Sequence, residues 1–195
     1  MKIGLYGGTF DPIHNGHLII AEWTYEALDL DEIIFIPAFI PPNKQESGIS
    51  SAEIRMDMLK LAVNSNPHFS VSDYEIQKAD ISYTLQTVCH FREQLNLSRD
   101  ELFFLIGTDS LNEFHEWHKP DEILQNCTMV VYPRLSSSDC THPSVENLVI
   151  LQAPIIGISS TIIRQRVSQH RSIKYMVSES VSEYISQHRL YEKIT

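Results

Sequence analysis

The chain is short of cysteine. Its three, Cys89, Cys127 and Cys140, are an odd number with no close spacing. That argues against a disulfide framework and for a reducing cytoplasm. The chain also lacks any apolar run near the roughly 18 residues that a membrane span requires. The N-terminus enters "KIGLYG" directly, without a charged and then apolar leader, so no signal peptide is expected. Positive charge is scarce: 15 Lys and Arg stand against 25 Asp and Glu, a formal net charge of −10. A broad nucleic-acid footprint needs the opposite balance. A small anionic ligand does not, because one pocket can be locally positive on an acidic protein. The sequence has no internal repeat, and no linker is long enough to separate a second domain from the first.

What is present is an ordinary apolar content, 43% of 195 residues, laid out as alternating strand and helix patterns. Short apolar runs at 2–7, 32–37, 69–74, 101–107, 127–133 and 147–152 read as six strands. From 17 to 28 the apolar residues Leu18, Ala21, Trp23, Tyr25 and Leu28 suit a helix. A helix from Ser51 buries Ala52, Ile54, Met58, Leu59 and Ala62, and one over 82–95 buries Leu85, Val88, Cys89, Phe91 and Leu95. A shorter helical piece lies between 107 and 127, and two helices begin near Ser160 and Ser178. Residues 39–50 and 136–144 read as loops from their prolines, glycine and polar residues. The alternation predicts an α/β fold, a Rossmann-like parallel sheet of about six strands covered on both faces. Ligands bind such sheets at the carboxyl ends of the strands, where strand order reverses.

The first strand runs into "GGTFDPIHNGH" (7–17), with three of the chain's seven glycines and two histidines three apart. It is not the G-x-G-x-x-G fingerprint, because the third glycine is misplaced, and no Gly-Lys-Ser/Thr follows to make a P-loop. No carboxylate or cysteine lies at the spacing that a zinc motif needs. The plain alternative is a glycine-rich turn with two polar helix-start residues. Against it, Gly7 and Gly8 let backbone approach a ligand, and a helix start beside His17 offers unpaired N–H groups and a positive dipole end. His14 and His17, on one face, would add donors to a phosphate site.

"GTFDPIHNGH" resembles the HxGH signature of the nucleotidyltransferase superfamily, and "ISSTIIR" (158–164) resembles its second signature. "PPNK" (41–44), "SYT" (82–84), "GTDSLNEFHEWH" (107–118) and "VSEYISQHRLY" (181–191) are similar to the bacterial nicotinate-nucleotide adenylyltransferase family. The resemblance covers essentially the whole chain. It implies one nucleotidyltransferase domain over 1–195, with helices from about residue 160 packed on it. It implies a cytoplasmic enzyme of NAD biosynthesis that joins ATP to nicotinate mononucleotide, releasing nicotinate adenine dinucleotide and pyrophosphate. Mg²⁺ would ride on the ATP phosphates, with no protein metal site. Neither nucleic acid nor membrane is an implied partner, and a homodimer is compatible with it.

The resemblance also implies roles. His14, His17 and Arg164 would be catalytic. Gly7, Gly8, Thr9, Phe10, Gly107, Ser159, Ser160 and Thr161 would join them around ATP. Nicotinate mononucleotide would meet Lys44, Tyr83, Thr84, Asp109, Trp117 and Arg134: Thr84 at a helix start for the carboxylate, Trp117 stacked on the pyridine, Asp109 on a ribose hydroxyl. Each has a plainer reading: helix capping for Ser159 to Thr161, a solvated Arg164, a surface Lys44, core packing for Trp117. His115 and His118 are expected to shape a loop, and Cys89 to be inert core. Phosphopantetheine adenylyltransferases share the phosphate motifs but usually have threonine where His14 stands, and lack the 82–84 and 107–118 patterns. Cytidylyltransferases differ in the second signature. Class I aminoacyl-tRNA synthetases are far longer. A non-catalytic nucleotide sensor would have little need of His14, His17, Lys44 and Arg164 together.

Overall fold

The computed structural model describes residues 1–40, 48–135 and 148–192. In chain order the elements are β1 (Ile3–Gly8), α1 (Asn15–Leu28), β2 (Glu32–Pro37), α2 (Ala52–Val63), β3 (Phe69–Val71) and α3 (Tyr74–Lys78). Then come α4 (Thr84–Gln94), β4 (Leu102–Gly107), α5 (Thr108–Asn112), α6 (Pro120–Asn126), β5 (Thr128–Tyr132), β6 (Leu148–Ile150), α7 (Ser160–Ser168) and α8 (Glu179–Gln187). The six strands form one parallel sheet in the order β3-β2-β1-β4-β5-β6. Strand order therefore reverses between β1 and β4, and that crevice is where such a sheet takes ligands.

Side chains alternate across each strand, and here both faces are covered. Tyr6, Ile33, Phe35, Phe103, Leu105, Val130 and Tyr132 meet Ile20, Ala21, Met58, Leu59, Ile163 and Val181 on one face. Ile3, Leu5, Ile34, Ile36, Phe104, Met129 and Val131 meet Leu85, Val88, Phe91 and Ile123 on the other. These two cores explain why the strand runs read as continuously apolar rather than alternating. No helix among the described residues is long and apolar enough to cross a membrane.

Three local details depart from the simplest pattern. Trp23 is 44% exposed, because the inward stripe of α1 is His17, Ile20, Ala21 and Thr24; its indole N–H instead donates to the Gln152 carbonyl at 2.8 Å. Ile54 and Cys89 are only partly buried. The expected strand over 69–74 stops at Val71, and α3 begins at Tyr74. The loops over 39–50 and 136–144, with Lys44 and Cys140, lie largely or wholly outside the described residues.

Candidate active site

β1 ends at Gly7 and Gly8 on the rim of a cleft of about 1100 Å³, just above the usual size of a single small-ligand site and so roomy enough for more than one ligand. Every predicted site residue among those described lines this cleft. Residues from both ends of the chain thus meet at the switch point between β1 and β4. The Phe10 backbone is left-handed, and its ring folds beneath Gly8: a Cβ there would come 2.9 Å from the Phe10 ring. Phe10 and Tyr6 both set an edge or face against the His17 ring, at 5.1 and 5.9 Å between centroids. They form an aromatic floor under the histidines.

His14 caps the N-terminus of α1 in an extended conformation, and His17 lies in its first turn. Their rings stack at 3.6 Å, 21° from parallel. The His14 backbone N–H donates to His17 Nδ1 at 3.2 Å. In a neutral ring that places the His17 proton on Nε2. His14 is 3% exposed, and apart from a capping-box approach of its ring to the His17 N–H, too loose for a full bond, Nδ1 and Nε2 lack a hydrogen-bond partner among the described residues. Buried polar atoms are almost always paired, so this ring is built to meet something. Burial, with the Arg134 charge adding to it, lowers the His14 pKa to about 3. His17 is held well below its ordinary value by burial, then by His14 and Arg134. Both rings are therefore neutral donors at pH 7, and the positive charge comes from arginines and the α1 terminus.

The second motif closes the opposite wall. Ser159 caps α7, its hydroxyl accepting from the Ile162 N–H at 3.2 Å. The Ser160 hydroxyl donates to the Pro12 carbonyl at 2.8 Å, and Arg164 Nη1 donates to the Asp11 carbonyl at 2.7 Å. The two signatures are thus bolted together through main-chain carbonyls of the first. The capping expected of this stretch is real for Ser159. Arg164 is not a solvated surface arginine.

At the carboxyl end of β4, Gly107 allows a close crossing. A Cβ there would collide with Asp109 Oδ1 and come 3.0 Å from Arg134 Cδ. Arg134 Nη1 donates to Asp109 Oδ2 at 2.7 Å, while Oδ1 is buried without a partner among the described residues. This pair links the phosphate end to the other. There α4 starts at Thr84 with no side chain capping it. Trp117 is partly buried, edge-on to Phe114 at 5.4 Å, with part of its surface on the cleft. His118 packs on the Tyr83 ring at 4.8 Å and His115 is exposed beside Glu116.

Two buried groups escaped the sequence reading. Glu75, 8% exposed, lines the cleft near Thr84 and accepts from the Thr87 hydroxyl at 2.5 Å; burial pushes its pKa up. Arg55, 1% exposed on α2, donates to the carbonyls of Ser50 (3.0 Å), Thr9 (2.8 Å) and Phe39 (3.4 Å). It pins the phosphate loop to both stems of the segment that carries Lys44. The signal was spacing: Arg55 lies three residues after Ala52 and four before Leu59, on the buried stripe.

Among the described residues no group of three or more His, Cys, Asp and Glu is placed to hold a metal. Asp11 is committed to Ser50 and Tyr191, and Asp109 to Arg134. An Mg²⁺ held mainly by ligand phosphates would need few protein donors, and the one buried carboxylate oxygen on the cleft without a partner among the described residues is Asp109 Oδ1.

Residues 5–166 match the family model described as cytidylyltransferase-like. A relative from Caldicellulosiruptor bescii is 38% identical, covering 99% of this chain and 100% of its own. Another, from Clostridium acetobutylicum, is 40% identical over 97% of this chain and 98% of its own. Both carry the name "Probable nicotinate-nucleotide adenylyltransferase". The fold is also that of the Plasmodium falciparum nicotinic acid mononucleotide adenylyltransferase complexed with NaAD. The TM-score is 0.80 at 18% identity, over 97% of each chain.

Proposed function

The chain belongs to the nicotinate-nucleotide adenylyltransferase family of cytidylyltransferase-like proteins, and from that premise we propose how its own residues carry the reaction. The reaction is adenylyl transfer from ATP to nicotinate mononucleotide, giving nicotinate adenine dinucleotide and pyrophosphate, a step of NAD biosynthesis. A phosphate oxygen of the mononucleotide attacks the α-phosphorus of ATP in line. A new P–O bond forms, the bond to the α–β bridging oxygen breaks, and its electron pair leaves on pyrophosphate. The nucleophile is already an anion at pH 7. The protein therefore supplies no general base and forms no covalent intermediate; it aligns the reactants and stabilises charge.

The observation that carries this reading is the His14 ring: buried, neutral and, its capping approach to the His17 N–H apart, without a hydrogen-bond partner among the described residues, at a helix N-terminus on a cleft that Arg164 also lines. His14 and His17 donate to the triphosphate, and Arg164, Arg134 and the N–H groups opening α1 and α7 supply positive potential. An anionic phosphate also favours the protonated rings, so binding raises their pKa and strengthens the bonds. Mg²⁺ bound to the phosphates would neutralise charge on the leaving pyrophosphate. Thr84 and the α4 amides take the nicotinate carboxylate, Trp117 the ring face and Asp109 a ribose hydroxyl. A cytoplasmic location rests on the cysteine pattern, with Cys89 and Cys127 free thiols.

Pyrophosphate release with ATP and each pyridine mononucleotide tests the reading. Release that requires nicotinate mononucleotide is expected. ATP binding without release in the presence of either mononucleotide would make the chain a nucleotide sensor and overturn it.

A further inference from the structure

Asp11 belongs to the first motif, yet none of its donors comes from that motif. Its side chain is 2% exposed. A carboxylate so buried needs donors, and among the described residues it has two: the Ser50 N–H on Oδ2 at 3.2 Å and the Tyr191 hydroxyl on Oδ1 at 2.6 Å. The main-chain carbonyl of the same residue is the acceptor that holds Arg164. One residue thus joins the phosphate loop, the start of α2, the second motif and the C-terminal end of the chain.

Tyr191 is brought there by a seated tail. The Asn15 N–H donates to the Met176 carbonyl at 2.8 Å. The Ser180 hydroxyl donates to the Leu61 carbonyl at 3.2 Å, and Tyr184 donates to Asp57 at 3.1 Å. The Tyr191 hydroxyl also lies 4.0 Å from Met58 Sδ, and its ring packs against the core beneath α1 and α2. Burial first, and the Asp11 charge next, hold its pKa far above neutral, with Arg164 close enough to oppose them. The hydroxyl is therefore a fixed donor at every working pH. Arg164 is a long side chain with many rotamers; its Nη1 donates to the Asp11 carbonyl and its Nη2 more weakly to the Thr161 hydroxyl at 3.5 Å, and these two bonds fix the fork on the wall of the cleft.

We propose that Tyr191 is a positioning residue for phosphate transfer: its hydroxyl fixes the Asp11 turn, and that turn aims Arg164. Without the hydroxyl one buried carboxylate oxygen is stranded, and the Asp11 peptide turns to find another donor. The carbonyl that orients Arg164 moves with it. The pyridine end, built from α4 and the segment after β4, is untouched. This inference rests on the role given to Arg164 above.

The test is a double-mutant cycle of Tyr191→Phe and Arg164→Ala, read in pyrophosphate release, with circular dichroism and melting of each variant. Tyr191→Phe keeps the ring and its packing. It is expected to lower kcat about tenfold, the scale of one hydrogen bond to a charged group. The KM for nicotinate mononucleotide should stay within about twofold. In the Arg164→Ala background the same change should cost less than about twofold, because the route is already cut. A tenfold loss persisting in that background would overturn the inference, as would a Tyr191→Phe kcat within twofold of wild type while Arg164→Ala is crippled. An Arg164→Ala enzyme with full kcat would instead sink the role of Arg164 itself and the route through it.

Discussion

The two ends of the cleft are built on different plans. The phosphate end is finished before any substrate arrives. His14, His17 and Asp11 are each under 10% exposed, Arg164 is bonded to the Asp11 carbonyl, and Arg55 ties the loops beneath. The pyridine end is looser. Trp117 and Thr84 are only partly buried, the start of α4 has no side-chain cap, and the neighbouring His115 and His118 are exposed. The difference matches the chemistry each end is asked to do. Charge that develops in a transition state is stabilised best by dipoles already in place. A mononucleotide needs only to be recognised and held, and adaptable walls suffice for that. The phosphate end should therefore answer to mutation in kcat, and the pyridine end in KM and selectivity.

The largest effect is expected at the histidines. His17→Ala should cost about 10²–10³ in kcat, the scale of losing one aimed donor. Affinity for the mononucleotide should be nearly unchanged. Steady-state rates on protein checked by circular dichroism measure it. A rate within threefold of wild type would remove the contrast between the two ends.

Next comes selectivity for the acid over the amide mononucleotide. N–H groups at the α4 start favour a carboxylate, whereas a carboxamide turns an NH₂ toward donors and leaves one unpaired. A preference of roughly a hundredfold or more in kcat/KM is expected, read by competition between the two at equal concentration. Thr84→Ala should narrow it only partly, since the amides stay. Equal use of both would mean that the carboxylate does not sit at α4.

A smaller effect belongs to Trp117→Ala. Loss of a stacking face costs about 1–3 kcal/mol by analogy with base stacking, so the mononucleotide should bind about 5- to 150-fold more weakly while ATP binding holds. Separate titrations decide it. A collapsed melting temperature with both affinities equally weakened would assign Trp117 to packing against Phe114.

The same contrast governs what the sequence disclosed. The sheet was legible because strands buried on both faces are apolar throughout, and the phosphate end because its donors cluster in two short runs. Arg55 was not legible: an arginine counts as surface by composition, and only its place between Ala52 and Leu59 hints otherwise. Glu75 escaped for a like reason, since the run before it passes for strand through Tyr74. Trp23 misled in the other direction, a large apolar side chain one step off the buried stripe. The bond between Tyr191 and Asp11 spans nearly the whole chain, and no local pattern encodes such a pairing.

The smallest effect concerns stability and pH. The His14 pKa falls from about 6.5 in the unfolded chain to about 3 in the folded protein. Between those values the unfolded chain binds a proton that the folded site refuses. Stability therefore rises with pH through this window and is lost on acidification below about pH 6.5. For one such group the slope approaches about 1.4 kcal/mol per pH unit at the middle of the window. His17, shifted in the same direction, adds to it. His14→Asn removes one titrating group and fills much of the same space with a neutral amide. Its urea-unfolding free energy, followed from pH 7 to pH 4.5, should fall less steeply than that of the wild type, so that the gap between the two curves changes steadily with pH. No comparable change is expected from Trp117→Ala, because the pyridine end buries no histidine. Parallel curves for His14→Asn and wild type would mean that His14 titrates normally, and that the phosphate end is less dry than its burial implies.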